Sequence, residues 1–145
     1  MLRSPLLHPT ILAALARAGH GSKVLIADGN YPAWTRRGPN AEVVHLALAP
    51  GMPPVTDVLR VLGEVTPIEA AEVMTPPAGS PEPTVFAELR ALLSVPLTAL
   101  EREPFYRAAG SSDVALTIVT GEERLYANVL LTIGVVPPRD RAPGR

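Results

Sequence analysis

Two residues with acid–base chemistry stand at the two ends of one predicted strand. His20 lies between Gly19 and Gly21, and flanking glycines allow a sharp turn that leaves the imidazole uncrowded. Asp28 follows an apolar run, Lys23 to Ala27, that is typical of a buried strand. Imidazole titrates near neutral pH, so a histidine here can give and take protons. The two side chains can share a pocket only if their loops fold toward each other or a neighbouring subunit supplies one of them.

Further polar residues fall where other predicted strands begin or end. They are Arg102, Glu122, Tyr126 and Asn128. Ligand pockets of α/β sheets form at such positions. The alternation of side chains along a strand places Tyr126 and Asn128 on one face, away from the core, which favours an interface or a pocket wall.

Each candidate also has a purely structural interpretation. The His20 ring could bond a backbone carbonyl of its own turn, and Asp28 before Gly29 could form an Asx-turn. Arg102, between two glutamates, could be a solvated charge, and Glu122 could be a hairpin-turn residue. Trp34, in a predicted loop, could anchor an interface or stack on a ring.

Composition and missing motifs exclude several classes of protein. The 145 residues suit one domain, and 13 basic against 14 acidic residues leave no charge pattern for nucleic acid or a membrane surface. Without cysteine there is no disulfide framework or thiol nucleophile, and a reducing cytoplasm is expected. The apolar stretch near the N-terminus is too short and too interrupted for a signal peptide or a membrane span. The three histidines have no metal-ligand spacing, and no nucleotide-binding or serine-hydrolase motif is present, so neither a metal nor a cofactor is expected.

The hydrophobic pattern alternates between strands and helices along most of the chain. It predicts an α/β fold, a three-layer α/β/α-type single domain with a mixed sheet, over residues 1–136, followed by a flexible tail, 137–145. The last two strands are separated by only five residues and are therefore expected to pair as a hairpin. The predicted helices are one beginning at Pro9 and closed by Gly19, then Pro54–Leu62, Thr84–Leu93 and Pro104–Ala109; the predicted strands are Lys23–Ala27, Val43–Leu46, Ile68–Met74, Leu97–Leu100, Val114–Thr120 and Tyr126–Leu131.

The candidate residues occur in runs that resemble the D-ribose pyranase and L-fucose mutarotase family. The N-terminal part of the resemblance is Gly19-His20-Gly21, then Asp28 and Tyr31-Pro32. The C-terminal part comprises Thr120-Gly121-Glu122, Tyr126-Ala127-Asn128-Val129-Leu130-Leu131 and Gly134-Val135. The resemblance extends from about Leu6 to Val136, with its motifs in the family's order.

This resemblance implies a small cytoplasmic isomerase that interconverts ring forms of a free monosaccharide without a cofactor. It also implies a ring-shaped homo-oligomer, often a decamer of two stacked pentamers. His20 takes the place of the family's proton donor, and Asp28 that of a residue that binds sugar hydroxyls. The pocket-lining triplet corresponds to Tyr126, Ala127 and Asn128.

Details of the sequence divide between the two branches of the family. Arg102, before Phe105-Tyr106, fits a sugar-binding arginine of the fucose branch, and the Gly-His-Gly spelling also favours fucose. The Tyr126-Ala127-Asn128 triplet is that of the ribose branch. Ser22 stands where relatives often carry aspartate. We favour an L-fucose mutarotase; the alternatives are a D-ribose pyranase, a non-catalytic sugar-binding oligomer or a purely structural subunit.

Overall fold

The computed structural model describes residues 1–139, which form four helices around one six-stranded sheet. Residues 140–145 of the predicted tail lie outside the described residues. None of the described helices is both long and apolar enough to cross a bilayer. The helices are α1 (Pro9–Arg17), α2 (Val55–Val65), α3 (Thr84–Leu92) and α4 (Arg102–Ala109), and the strands are β1 (Lys23–Ala27), β2 (Glu42–His45), β3 (Ile68–Met74), β4 (Leu97–Leu100), β5 (Val114–Val119) and β6 (Val129–Ile133).

The sheet is mixed, with the strand order β2-β5-β1-β6-β3-β4. Within residues 1–139, β6 alone runs antiparallel to its neighbours, β1 and β3. The carboxyl ends of the other strands therefore meet at one edge of the sheet, which we call the carboxyl edge. We call the opposite edge, where β1 and β3 begin and β6 ends, the amino edge.

Both faces of the sheet are covered, which confirms the predicted three-layer α/β fold. Helices α1, α2 and α3 bury their apolar faces on one side, with Ile11, Leu59 and Phe86 among the residues of that core. The other side is covered by α4 through Phe105 and by the loop after β1 through Tyr31. Because β1 lies between covered faces in the middle of the sheet, its sequence is a continuous apolar run.

Two predictions about the last strands are wrong. β5 and β6 do not form a hairpin, because β1 lies between them and pairs with both. The loop joining them crosses the end of β1, where the Thr120 hydroxyl donates to the Ala27 carbonyl at 2.8 Å. Strand β6 begins at Val129, three residues later than predicted, because Tyr126 lies in a turn with φ of 61°. Tyr126 and Asn128 therefore do not share a strand face.

Smaller differences concern the first residues of two helices. Helix α4 begins at Arg102 rather than Pro104, so Arg102 lies in its first turn, and the N-cap of α3 is Pro83 rather than Thr84. His8 is the N-cap of α1, where its Nδ1 accepts from the Ile11 N–H at 3.4 Å. Val135 lies beyond β6 and is exposed.

Candidate functional site

A buried carboxylate and a buried amide bind each other reciprocally at the carboxyl edge. The Asn128 Oδ1 accepts from the backbone N–H of Asp28 at 2.8 Å, and the Asn128 Nδ2 donates to the Asp28 Oδ2 at 2.9 Å. The Asp28 Oδ1 accepts from the Asn30 N–H at 2.9 Å, so the residue also makes its Asx-turn. Burial raises the pKa of the Asp28 carboxyl, while these hydrogen bonds favour the ionised form. The Asp28 carboxyl group is thus fixed in place.

Tyr126 and Ala127 approach this pair from the loop between β5 and β6. The positive φ of Tyr126 is uncommon for an aromatic residue, and such conformations concentrate at functional sites. The half-buried Tyr126 side chain packs against the cores on both sides of the sheet, and Ala127 is fully buried. Tyr126 is therefore held at the edge of the sheet, beside Asn128.

Glu122 holds the same loop in place through a network that the sequence did not indicate. Its buried carboxylate accepts from the Arg124 Nε and a terminal guanidinium nitrogen, both at 2.9 Å, and from the Val55 N–H at 3.3 Å. Its carbonyl accepts from the Gly29 N–H at 2.8 Å. The guanidinium of Arg124 lowers the pKa of Glu122. Arg124 also donates to Glu88 of α3 at 2.7 Å. Glu122 therefore supports the loop as an ionised structural acid.

Arg102 lies at the carboxyl edge but away from Asp28. It is exposed in the first turn of α4, directly after β4. Strands β6 and β3 lie between β1 and β4, so three strand spacings of about 4.8 Å separate the two backbones by roughly 14 Å. The structure therefore does not bring Arg102 together with Asp28 and Asn128.

His20 lies at the opposite edge from all of these residues. The five residues of β1 separate His20 from Asp28 by roughly 16 Å, at about 3.3 Å per residue. A hydrogen bond reaches about 3 Å from each side chain, so one monosaccharide ring between the two residues does not span the length of β1. The loops that carry His20 and Asp28 therefore do not fold toward each other within one chain. The remaining arrangement from the sequence analysis is that a neighbouring subunit supplies one of the two residues.

The His20 turn is well supported by the backbone. Gly21 has φ of 82° and donates its N–H to the Ile133 carbonyl at 2.9 Å. Ser22 closes the turn, since its N–H donates to the Gly19 carbonyl at 3.1 Å and its Oγ accepts from the Gly19 N–H at 3.2 Å. The imidazole bonds a carboxylate rather than a backbone carbonyl: its Nε2 lies 3.0 Å from both oxygens of Glu69.

Two clefts flank His20 at the amino edge. One, of about 590 Å³, is lined by polar side chains that include Arg17, Asn40 and Asp113. The other, of about 430 Å³, is mostly apolar and is lined by residues that include Leu15 and Val136. The half-exposed imidazole is therefore accessible from outside the chain.

Glu69 is the polar neighbour of His20 that the sequence did not reveal. It belongs to a strand that was predicted correctly, but its proximity to His20 depends on the pairing of β3 with β6 and of β6 with β1. The sequence offered no signal for either pairing once β6 had been expected beside β5.

Comparisons with known proteins identify relatives over nearly the whole chain. Residues 1–136 match the sequence model of the RbsD / FucU transport protein family. A D-ribose pyranase from Paracidovorax citrulli is 34% identical over 135 residues, which are 93% of this chain and 98% of the relative.

Two solved structures share the fold. The Bacillus subtilis RbsD complexed with D-ribose has a TM-score of 0.81 and 28% identity, covering 94% of this chain and 99% of its own. The Streptococcus pneumoniae fucose mutarotase in complex with L-fucose also has a TM-score of 0.81, with 94% of this chain and 100% of its own covered. Its identity is 24%, so this likeness concerns the fold alone.

Proposed function

Because the chain belongs to the RbsD / FucU transport protein family, we propose that it catalyses the interconversion of ring forms of a free monosaccharide, as a mutarotase or pyranase. Support comes from the relative named D-ribose pyranase, at 34% identity, and from the structure of RbsD with D-ribose. The observation that carries the proposal is the buried Asp28–Asn128 pair, a fixed acceptor and amide at the end of the central strand. Sugar hydroxyls need acceptors and donors of this kind.

The position of His20 requires that a complete site contain residues of two subunits. In our proposal the amino edge of one copy, with His20, faces the carboxyl edge of the next, with Asp28, Tyr126 and Asn128. Such a contact joins two different surfaces of the same chain, so it is heterologous and closes into a ring or continues as a filament. If this contact closes, it gives a ring, and a decamer of two stacked pentamers would need a second contact between the rings.

Exposed aliphatic side chains at both edges favour this contact. Leu125, next to Tyr126 at the carboxyl edge, is 66% exposed, and Val136 in the apolar cleft beside His20 is 65% exposed. Leu48 and Met52 are also exposed, and they belong to the loop whose Gly51 N–H donates to the Gly121 carbonyl at the carboxyl edge. Burial of aliphatic surface from both edges would stabilise the contact.

The proposed reaction needs only proton transfer and orientation. Opening a cyclic hemiacetal moves a proton from the anomeric hydroxyl to the ring oxygen. His20 exchanges these protons, while Asp28, Arg102, Tyr126 and Asn128 bind hydroxyls and Ala127 lines the pocket. A well-placed proton transfer contributes about 10²–10⁴-fold.

We propose L-fucose as the first substrate to test, on the basis of Arg102 and the Gly19-His20-Gly21 sequence. D-Ribose is the second, favoured by Tyr126-Ala127-Asn128 and by the relative named D-ribose pyranase. A sugar-binding oligomer without turnover is the alternative function.

Saturation-transfer NMR between the anomers, or ring forms, of each sugar tests the proposal directly. We expect exchange faster than in buffer, and we expect His20→Ala to reduce the rate by about 10²–10⁴-fold while sugar binding persists. Binding without accelerated exchange would favour the non-catalytic alternative. Unchanged exchange in His20→Ala would refute the role of His20.

A further inference from the structure

Both carboxylate oxygens of Glu69 contact the same nitrogen of the His20 ring. Both of its oxygens lie 3.0 Å from Nε2, although the two residues are 49 positions apart in the chain. Neither the sequence patterns nor the residues of the proposed sugar site include Glu69.

A β-bulge directs Glu69 toward His20. Ile68 pairs with Ile133 and Ala70 pairs with Thr132, so Glu69 is an extra residue of β3 without a counterpart in β6. Bulges of this kind re-aim a side chain and are common beside active sites.

The end of β6 holds both partners of the contact. Ile133 accepts from the Gly21 N–H at 2.9 Å and donates its own N–H to the Ser22 carbonyl at 2.9 Å, which fixes the His20 turn. Gly134 leaves room for Glu69, because a Cβ on Gly134 would lie 3.3 Å from the Glu69 Cβ and 3.6 Å from its Oε2. The imidazole and the carboxylate are therefore positioned by the same short segment.

The chemistry of the two groups determines which ring nitrogen carries hydrogen. An ionised carboxylate only accepts hydrogen bonds, so Nε2 must be the donor. The neutral ring is then the Nε2–H tautomer, and Nδ1 is the nitrogen left to exchange protons. Serine hydrolases use a buried aspartate in this way to fix the tautomer and orientation of their histidine.

We propose that Glu69 is the positioning residue of His20, holding the Nε2–H tautomer and directing Nδ1 to the sugar bound by the neighbouring subunit. This inference rests on the proposed function. The Nδ1–H of the imidazolium gives its proton to the ring oxygen of the sugar. At the same time the bond between C1 and that ring oxygen breaks, and its electron pair stays on the oxygen. The neutral Nδ1 then takes the proton of the anomeric hydroxyl, whose O–H pair becomes the carbonyl bond. The imidazole of His20 thus returns to its starting protonation state. Closure of the sugar ring follows the same steps in reverse.

Kinetics of the assembled protein test this role. We expect Glu69→Ala to lower kcat by about 10–100-fold with KM changed by less than about twofold, because the sugar contacts belong to the other edge. Glu69→Gln should retain more activity than Glu69→Ala, since its amide oxygen can still accept from Nε2–H. Glu64→Ala, which removes an exposed carboxylate of α2, is the matched control and should leave kcat unchanged.

A double variant separates positioning from a general structural effect. If Glu69 acts through His20, then Glu69→Ala in the His20→Ala background should cause no further loss of the residual rate. Equal kcat in Glu69→Ala and Glu64→Ala, or losses that multiply in the double variant, would overturn the positioning role. The proposed function fails in a different way, namely if the wild-type protein does not accelerate exchange at all.

Discussion

The separation of His20 from Asp28 makes a quantitative prediction about mixed oligomers. His20→Ala damages only the amino edge and Asp28→Ala only the carboxyl edge, roughly 16 Å away in the same chain. Each variant alone contains one lesion at every shared site. Co-expression of the two variants with different affinity tags should restore activity, because some contacts then unite two intact edges.

The size of the recovery follows from random assembly. In an equal mixture, half of the contacts take their amino edge from an Asp28→Ala subunit, in which that edge is intact. Independently, half take their carboxyl edge from a His20→Ala subunit, in which that edge is intact. About one quarter of the sites therefore contain two intact edges. If His20→Ala alone is reduced at least about 100-fold, the mixed oligomer should be about 25-fold or more as active as that variant.

The assay is saturation-transfer exchange on protein purified through both tags in succession. The matched control pairs Asp28→Ala with Asn128→Ala, two lesions at the same edge that no mixed contact can separate. Recovery in that control, or no recovery in the opposite-edge mixture despite a normal assembly, would refute the shared site.

Two further predictions concern the carboxyl edge. Glu122→Gln should lower the free energy of unfolding at neutral pH by about 2–3 kcal/mol, because it removes the negative charge that Arg124 bonds and replaces one of the two acceptor oxygens with an NH₂ donor. The lowered pKa of Glu122 means that this stabilisation is fully present above its ordinary value of 4.5 and is lost as the pH falls through its lower folded value. Urea unfolding as a function of pH measures the difference in free energy of unfolding between the wild type and Glu122→Gln. This difference should become smaller in acid, and a difference that does not change with pH would contradict the role of the ion pair. Leu125→Glu should weaken assembly, since it places a charge in the proposed contact, whereas Leu92→Glu, at a 40% exposed position of α3, should not. Sedimentation velocity over a range of protein concentrations compares the two, and equal assembly would place Leu125 outside the contact.

The sequence predicted those elements whose local pattern reflects their burial. Strand β1 was predicted with its observed bounds because a central strand is apolar on both faces, and β3 was likewise predicted in full. The position of β6 was wrong because the spacing between two strands does not reveal that a third lies between them. Tyr126 was wrongly predicted to lie in a strand. Its turn conformation depends on the loop around Glu122, which is held by residues far away in the chain, so the local pattern did not indicate it.

The candidate site was only partly accessible from sequence for the same reason. The strand ends identified Asp28 and Asn128, and the structure brings these two together. The sequence also indicated that His20 and Asp28 need folded loops or a second subunit to share a pocket, since a strand separates them. Glu69 was not visible, because it reaches His20 through a bulge between strands that are far apart in the chain.

Strand β6 connects the two halves of the proposed site within each subunit. Asn128, which binds Asp28, directly precedes it, and Ile133, which holds the His20 turn, is its last residue. The length of β6, which pairs with β1 over four residues, therefore sets the distance between the two halves of the site that one subunit contributes to the proposed ring. Lengthening β1 and β6 together by two residues would preserve which side chains face each core, yet it would change that distance by about 7 Å and with it the spacing of successive sites in the proposed ring.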